Sequence, residues 1–171
     1  MKSLRRMLAP SLAITAFLMA GAAAYADPLT IAFDAPFQSG YGGETLTFSA
    51  NVTNTDPVDT IDLNSDSYNV DSPLVLDDSG FWNNAPLSLG PSSSSGDIEL
   101  FTILVSLGTP LGLYEGSFEI LGGVDPTSDL DEVGKASFDV NVYAAPEPGS
   151  FLLLATGLLA LGALGGRKLF A

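Results

Sequence analysis

The sequence predicts an all-β fold for residues 27–144, a single antiparallel β-sandwich of about seven strands. Three observations lead to this prediction. Apolar residues recur at every second position, as they do along strands that bury one face. Clusters of Gly, Pro, Asn and Asp separate these segments. No segment between them has the period of about 3.6 residues that is typical of a helix.

The first two predicted strands have the clearest alternation. They cover 29–33 and 45–53. One face of the second strand is entirely apolar, while the other holds only Thr, Ser and Asn. The apolar positions are Leu46, Phe48, Ala50 and Val52. This strand is therefore expected to pack its apolar face on the core and to expose the other face to solvent.

Further strands are predicted around 59–68, near 74–76, and at 98–107, 112–121 and 133–143. Turn-forming residues separate the predicted strands, at 39–43, 54–57, 90–96, 108–110 and 122–126. The segments GETLTFSANVTNT, GLYEGSFEILGG and KASFDVNVY follow one another in an order that resembles immunoglobulin-like and fibronectin-type modules of exported bacterial proteins. This resemblance implies a fold but no activity.

The negative charge of the chain is concentrated in its central part. The net charge is -14 at pH 7, and every acidic residue except Glu147 lies in 27–145, together with a single basic residue, Lys135. Such a body repels nucleic acid and anionic membrane surfaces. Nucleic acid is therefore not expected as a partner.

The chain contains neither histidine nor cysteine. This composition excludes disulfides, the usual transition-metal ligand sets and every nucleophile that depends on histidine. A glycosidase could still use two carboxyl groups about 5–10 Å apart. The candidates are Glu44, Glu99, Glu115 and Glu119. Because solvated strand faces explain these residues better, we expect no enzymatic activity, and a carboxylate-based hydrolase is the least favoured alternative.

Two acidic segments are candidate calcium sites, although no cofactor is expected. Asp62, Asn64 and Asp66 begin like a calcium loop with oxygen ligands at alternate positions. Ser67 and Pro73 then occupy positions where such a loop needs Gly and Glu. If the segment is a strand, the three alternate residues instead face solvent together.

The second candidate calcium segment is the predicted loop after the strand at 112–121. It contains Asp125, Asp129 and Asp131, followed by Glu132. Mutual repulsion among these carboxylates would be relieved by a divalent cation. A solvated acidic loop is the simpler interpretation.

The only tryptophan, Trp82, follows a predicted turn and stands beside Phe81, Asn83 and Asn84. An aromatic ring next to amides is typical of carbohydrate-binding surfaces. The same group could instead close the open end of a sandwich, and we favour this core-plug interpretation. The carbohydrate-binding interpretation predicts an exposed Trp82 ring.

Residues 1–26 have the pattern of a cleaved signal peptide. Three basic residues, Lys2, Arg5 and Arg6, precede an apolar stretch that ends in an A-x-A pattern at Ala24 and Ala26. Cleavage there would make Asp27 the first residue of the mature chain. The Sec translocon and signal peptidase are therefore expected partners.

Residues 145–171 contain a motif, an apolar segment and a basic end in fixed order. The motif is Pro146, Glu147 and Pro148, the apolar segment at about 149–166 is predicted to be a transmembrane helix, and the basic end is Arg167 and Lys168. The two prolines favour an extended backbone that a protease can bind.

This tail resembles the PEP-CTERM sorting signal of exopolysaccharide-producing Gram-negative bacteria. The resemblance implies that exosortase, a membrane protease or transpeptidase, recognises 146–148. It also implies a brief association with the inner membrane before transfer to the cell surface or the extracellular matrix. The predicted function is that of an exported surface or exopolysaccharide-matrix protein with a structural or adhesive role. The alternative is a carbohydrate- or calcium-binding module in that matrix.

Overall fold

The structure, a computed structural model, describes residues 27–126, 130–145 and 149–166. Within these ranges the chain forms two sheets and two helices. In chain order the elements are β1 (Leu29–Phe33), β2 (Phe37–Gly40), β3 (Thr45–Asn54), β4 (Ile61–Val70), β5 (Val75–Asp77), α1 (Ser79–Asn84), β6 (Ser88–Leu89), β7 (Ser94–Leu104), β8 (Gly112–Gly123), β9 (Asp131–Val142) and α2 (Ser150–Gly166). The predicted signal peptide at 1–26, residues 127–129, the motif at 146–148 and the basic end at 167–168 lie outside the described residues.

The two sheets form the sandwich that the sequence predicts. One has the strand order β1-β3-β7-β5, and the other has the order β2-β9-β8-β4-β6. The prediction of an all-β, two-layer fold is confirmed. The prediction of a wholly antiparallel sandwich is wrong at one place, because β2 pairs parallel with β9.

Alternating apolar residues bring the two sheets together. On β3 and β7 the partners Leu46 and Ile103, and Phe48 and Phe101, lie opposite each other and are buried. The facing sheet contributes a matching row of buried side chains. The row contains Leu63, Phe118, Ile120, Phe138, Val140 and Val142.

Phe101 lies in the middle of an aromatic cluster between the sheets. Its ring stacks on Phe48 with centroids 4.9 Å apart, and on Phe118 with centroids 5.0 Å apart. Phe138 lies 4.9 Å from Phe101, and Phe33 lies 5.7 Å from it. This cluster joins strands from both sheets in a chain that has no disulfide.

The structure contains two short strands that the sequence analysis missed. β2 lies partly in a segment predicted as a turn, and β6 contains only two residues. Each is held by a partner that is distant in sequence, since Phe37 pairs with Asp139 and Leu89 pairs with Ile61. Strands this short carry too few residues for alternation to be recognised.

The helix α1 is a second difference from the predicted fold, which has no helix between the strands. It contains six residues, which is less than two turns, so it leaves no helical period in the sequence. Gly80 allows the helix to approach β7 closely, because a Cβ atom at this position would lie 2.9 Å from the carbonyl group of Leu100. A local sequence pattern does not reveal such a contact.

The tail contains α2, which has 17 residues. A helix of this length extends about 26 Å, while the bilayer core is about 30 Å thick. Among the described residues, no helix is both long and apolar enough to cross a membrane. The transmembrane helix predicted at about 149–166 is therefore corrected to this shorter helix.

Candidate functional site

The core-plug interpretation is wrong for Trp82 but holds for its neighbour Phe81. Its side chain is 57% exposed, whereas Phe81 is only 2% exposed. The two rings meet edge to face with centroids 5.4 Å apart. Phe81 therefore fills the gap between the sheets, where it contacts Phe118, and it supports the Trp82 ring at the surface.

Hydrogen bonds fix α1 against the neighbouring sheet. Asn84 donates from Nδ2 to the carbonyl oxygens of Gly80, at 2.9 Å, and Glu99, at 3.3 Å. At the other end of the helix, Ser79 donates its N–H to Oδ1 of Asp77 at 3.0 Å. This hydrogen bond lowers the pKa of the Asp77 carboxyl. The exposed indole is thus presented on a helix that is anchored at both ends.

A bulge in β4 turns Asp66 towards the interior. Leu63 lies opposite Gly122 and Ser65 lies opposite Leu121, so Asn64 is the extra residue. Beyond the bulge, Asp66 lies opposite the fully buried Ile120 and shares its face. Asp66 therefore does not share a solvated face with Asp62, as an unbroken strand would require.

Asp66 lies near a second carboxyl group, that of Asp78, which precedes α1. Burial raises the pKa of Asp66 to about 6, and the negative charge of Asp78 adds to the effect. Oδ2 of Asp66 is buried, and no N–H or hydroxyl donor among the described residues reaches it. A proton on Asp66 is therefore favoured in the folded state at mildly acidic pH.

We expect Asp66→Asn to stabilise the protein at pH 7.5 and to have little effect at pH 4. The pKa of Asp66 in the fold, about 6, lies above its usual value of 3.8, so the folded state binds more protons between these values. The stability that protonation contributes is present below pH 4 and is lost as the pH rises through 6. After allowance for partial solvent access, the gain at pH 7.5 is about 1–2 kcal/mol. Urea unfolding at both pH values measures it, and an equal gain at both would contradict this explanation.

The two candidate calcium segments meet at one end of the sandwich. Asp62 lies opposite Gly123, and Nδ2 of Asn64 donates to the carbonyl oxygen of Asp125 at 3.1 Å. We call this region the acidic end. It comprises the loop at 55–60, residues 124–126 and 130, and the strand ends beside them. A depression of about 390 Å³ lies there, lined in part by Asp56, Asp59, Asp131 and Glu132.

The acidic end does not provide a metal site within the described part of the chain. No group of three or more acidic side chains among the described residues is arranged to hold a metal ion. Asp66 faces the interior, and Asp129 lies outside the described residues. Neither calcium hypothesis therefore gains support from the geometry.

The four candidate glutamates do not form a convergent pair. Glu99 lies on β7 in one sheet, while Glu115 and Glu119 lie on β8 in the other. Glu119 forms an ion pair with Lys135, and Glu44 accepts the N–H of Tyr41 at 3.1 Å. The geometry thus gives the hydrolase alternative no support from these residues.

Asn54 is a structural residue that the sequence analysis missed. Its side chain is fully buried, and Nδ2 lies within hydrogen-bond distance of the carbonyl oxygens of Asp59, Leu89 and Gly90, at 2.8, 3.0 and 3.0 Å. Oδ1 accepts the N–H of Asp56 at 2.9 Å. Asn at the start of a turn predicts this last bond. The sequence contains no signal for the long-range bonds.

A scan against models of protein families and a search of curated proteins both give no match. Solved structures do match. The chain resembles one from a CaDoc0917–CaCohA2 complex, with 11% identity and a TM-score of 0.37 over 67% of this chain and 99% of that one. It resembles a C. elegans MSP family member, with 11% identity and a TM-score of 0.32 over 67% and 97%.

A third match is the CARDB domain of a Pyrococcus furiosus protein in complex with di-metal ions. The identity is 18% and the TM-score is 0.35, over 68% of this chain and 92% of that one. TM-scores this low carry no argument about function. The function of the chain is therefore argued from its own residues.

Proposed function

We propose that this protein is exported and sorted by exosortase to the surface or the exopolysaccharide matrix of a Gram-negative bacterium. The observation that carries the proposal is the fixed order of a PEP motif at 146–148, an apolar helix at 150–166 and a basic end at 167–168. The signal-peptide pattern at 1–26 supports export. The Sec translocon, signal peptidase and exosortase are the processing partners in this proposal, and the inner membrane is a temporary location.

The proposed role of the body is structural or adhesive rather than catalytic, in an immunoglobulin-like sandwich. Its two-layer core is built from apolar side chains without a disulfide, and the chain is strongly acidic. An acidic body with a cohesive core remains soluble and well dispersed among matrix polysaccharides.

The sorting proposal predicts that the PEP motif controls processing. In the native host, a chain with both Pro146→Ala and Pro148→Ala should remain unprocessed in the membrane fraction, because the extended recognition segment is lost. Fractionation and immunoblotting measure the distribution. Pro57→Ala, in an exposed loop at the opposite end of the body from the tail, is the control and should be processed normally. Normal processing of the double variant would count against recognition of this motif.

A carbohydrate-binding module is the second candidate function, and the exposed Trp82 ring favours it. The ring stands on the fixed helix α1 beside the exposed side chain of Asn83. The apolar faces of sugar rings stack on such an indole, and a neighbouring amide can hydrogen-bond to hydroxyl groups. The proposed ligand is exopolysaccharide from the host matrix.

If this second function is correct, Trp82→Ala should weaken binding to host exopolysaccharide by about 30-fold, as expected for an anchoring tryptophan worth about 2 kcal/mol. The free energy of unfolding of the Trp82→Ala variant should change by less than about 0.5 kcal/mol, because the ring is largely exposed. Phe37→Ala is a matched control, since Phe37 is 56% exposed but lies on β2. Affinity electrophoresis in exopolysaccharide measures both. Equal binding by the two variants would eliminate Trp82 as the anchor.

A further inference from the structure

The two ends of the sandwich differ in chemistry. One is the acidic end. The opposite end, which we call the tail end, is formed by the loops at 41–44, 71–74 and 105–111, by Leu113 at the start of β8, and by Tyr143, the residue after β9. The chain leaves the sandwich at this end and continues towards α2.

Direct contacts hold the parts of the tail end together. The rings of Tyr41 and Tyr143 meet edge to face with centroids 6.0 Å apart. Tyr143 donates its N–H to the carbonyl oxygen of Gly40 at 3.0 Å, and Gly43 donates to that of Val105 at 2.7 Å. The loops and the end of β9 therefore form one surface.

This surface exposes large apolar side chains. Leu107 is 85% exposed, and the other members are exposed as well. They are Tyr41, Leu111, Leu113 and Tyr143. Clustered exposed apolar residues on a protein surface usually mark an interaction site. Tyrosines among them are typical of the zone where a protein meets lipid headgroups.

Charge separates the two ends further. At the tail end, the loops at 41–44, 71–74 and 105–111 hold two charged residues, Glu44 and Asp71. The acidic end, in contrast, holds seven carboxylates among the described residues. They are Asp27, Asp56, Asp59, Asp62, Asp125, Asp131 and Glu132. The tail end thus approaches a lipid surface with less electrostatic repulsion than the acidic end does.

The tail end is also tethered to the apolar helix α2. Residues 144–149 separate Tyr143 from the start of α2. Six residues span at most about 20 Å. The exposed side chains described on α2 are mainly leucines: Leu153, Leu154, Leu158, Leu159 and Leu161. If α2 enters a lipid layer, the tether holds the tail end within a short distance of the same layer.

We propose that the tail end is a membrane-facing surface, on which Leu107, Leu111 and the two tyrosines contact lipid while the tail holds the chain at the membrane. This inference rests on the proposed sorting function, in which the tail associates with the inner membrane. The acidic end then points away from the membrane. The body therefore stands in a defined orientation relative to the membrane.

Site-specific spin labels test this orientation, because the chain has no cysteine of its own. The exported chain with its tail intact is purified from a host that lacks exosortase and is added to phosphatidylcholine vesicles. One sample carries a label at Leu107→Cys. The matched control carries it at Leu87→Cys, which is 88% exposed but lies beside β6 at the acidic end.

The measured quantity is the accessibility of each label to a water-soluble nickel complex and to oxygen. With vesicles, the label at 107 should become severalfold less accessible to nickel and more accessible to oxygen, while the label at 87 should not change. If the chain floats with the vesicles and both labels remain in water, the orientation is wrong and the sorting proposal survives. If the chain does not float, the membrane step of the sorting proposal fails as well.

A second copy of the chain is the competing occupant of the tail end. In that case the label at 107 is shielded without vesicles, and analytical ultracentrifugation gives the mass of a dimer. This result would overturn the lipid assignment.

Discussion

Replacing Phe101 with alanine is expected to lower the free energy of unfolding by about 4 kcal/mol. The Phe101 side chain is fully buried and contacts aromatic rings from both sheets. Its removal leaves a cavity that the surrounding strands cannot close, because the hydrogen bonds of β3 and β7 fix their positions. A domain of this size has a total stability of about 5–15 kcal/mol, so the variant is expected to be close to unfolding.

Urea unfolding followed by circular dichroism measures this loss. Phe37→Ala is the matched control, since the same atoms are removed from a side chain that is 56% exposed. We expect the control to change the stability by less than about 1 kcal/mol. Similar losses in the two variants would mean that Phe101 does not occupy the centre of the core.

Replacing Asn54 with alanine is expected to cost about 3 kcal/mol, the second largest effect. The amide of Asn54 links β3, in one sheet, to the carbonyl oxygen of Leu89 on β6, in the other. The same amide also reaches the carbonyl oxygens of Asp59 and Gly90. Alanine leaves these acceptors without their donor in a largely dry environment, which accounts for the cost.

Asn54→Asp keeps the shape of the side chain but removes its Nδ2 donor, so it tests the hydrogen bonds separately from the packing. Aspartate fits the same space but presents a carboxylate to the three carbonyl oxygens, so it should be at least as destabilising as alanine at pH 7. Asn83→Ala, at an exposed position, should have almost no effect. Thermal unfolding measures all three variants. Stability retained by Asn54→Asp would contradict the role of the Nδ2 donor.

The sequence predicts the long elements of the fold well. The strand at 45–53 alternates without interruption, and the structure has β3 at Thr45–Asn54 with the predicted residues buried. The strand at 29–33 is confirmed with the same bounds. In these segments the local pattern and the final burial agree, because both result from one face packing on the core.

Elements that depend on distant partners could not be predicted in this way. β6 has two residues and exists because Ile61 and Asp62 pair with it. Because of the bulge at Asn64, the residues of β4 that would otherwise face solvent turn towards the core. Asp66 is one of them, and it comes to lie near α1. No property of the segment 61–70 alone indicates this reversal, since it depends on the register with β8.

The candidate site was predicted only in part. The sequence identifies Trp82 as a candidate ligand residue, and its exposure agrees with the carbohydrate-binding alternative rather than with the favoured core plug. The pairing of Asp66 with Asp78 was not predicted, because it needs both the bulge and the helix. The sorting residues 146–148, 167 and 168 and the cleavage site at Ala24 and Ala26 lie outside the described residues and remain predictions.

The intact mass of the protein from its native host, with and without a functional exosortase, tests the sorting proposal most directly. In the presence of exosortase, we predict a chain that begins at Asp27 and has lost the tail beyond the region of Pro146. In its absence, the chain should begin at Asp27 and extend to Ala171. A tail retained in both strains would contradict the proposal and would direct attention to partners at the inner membrane.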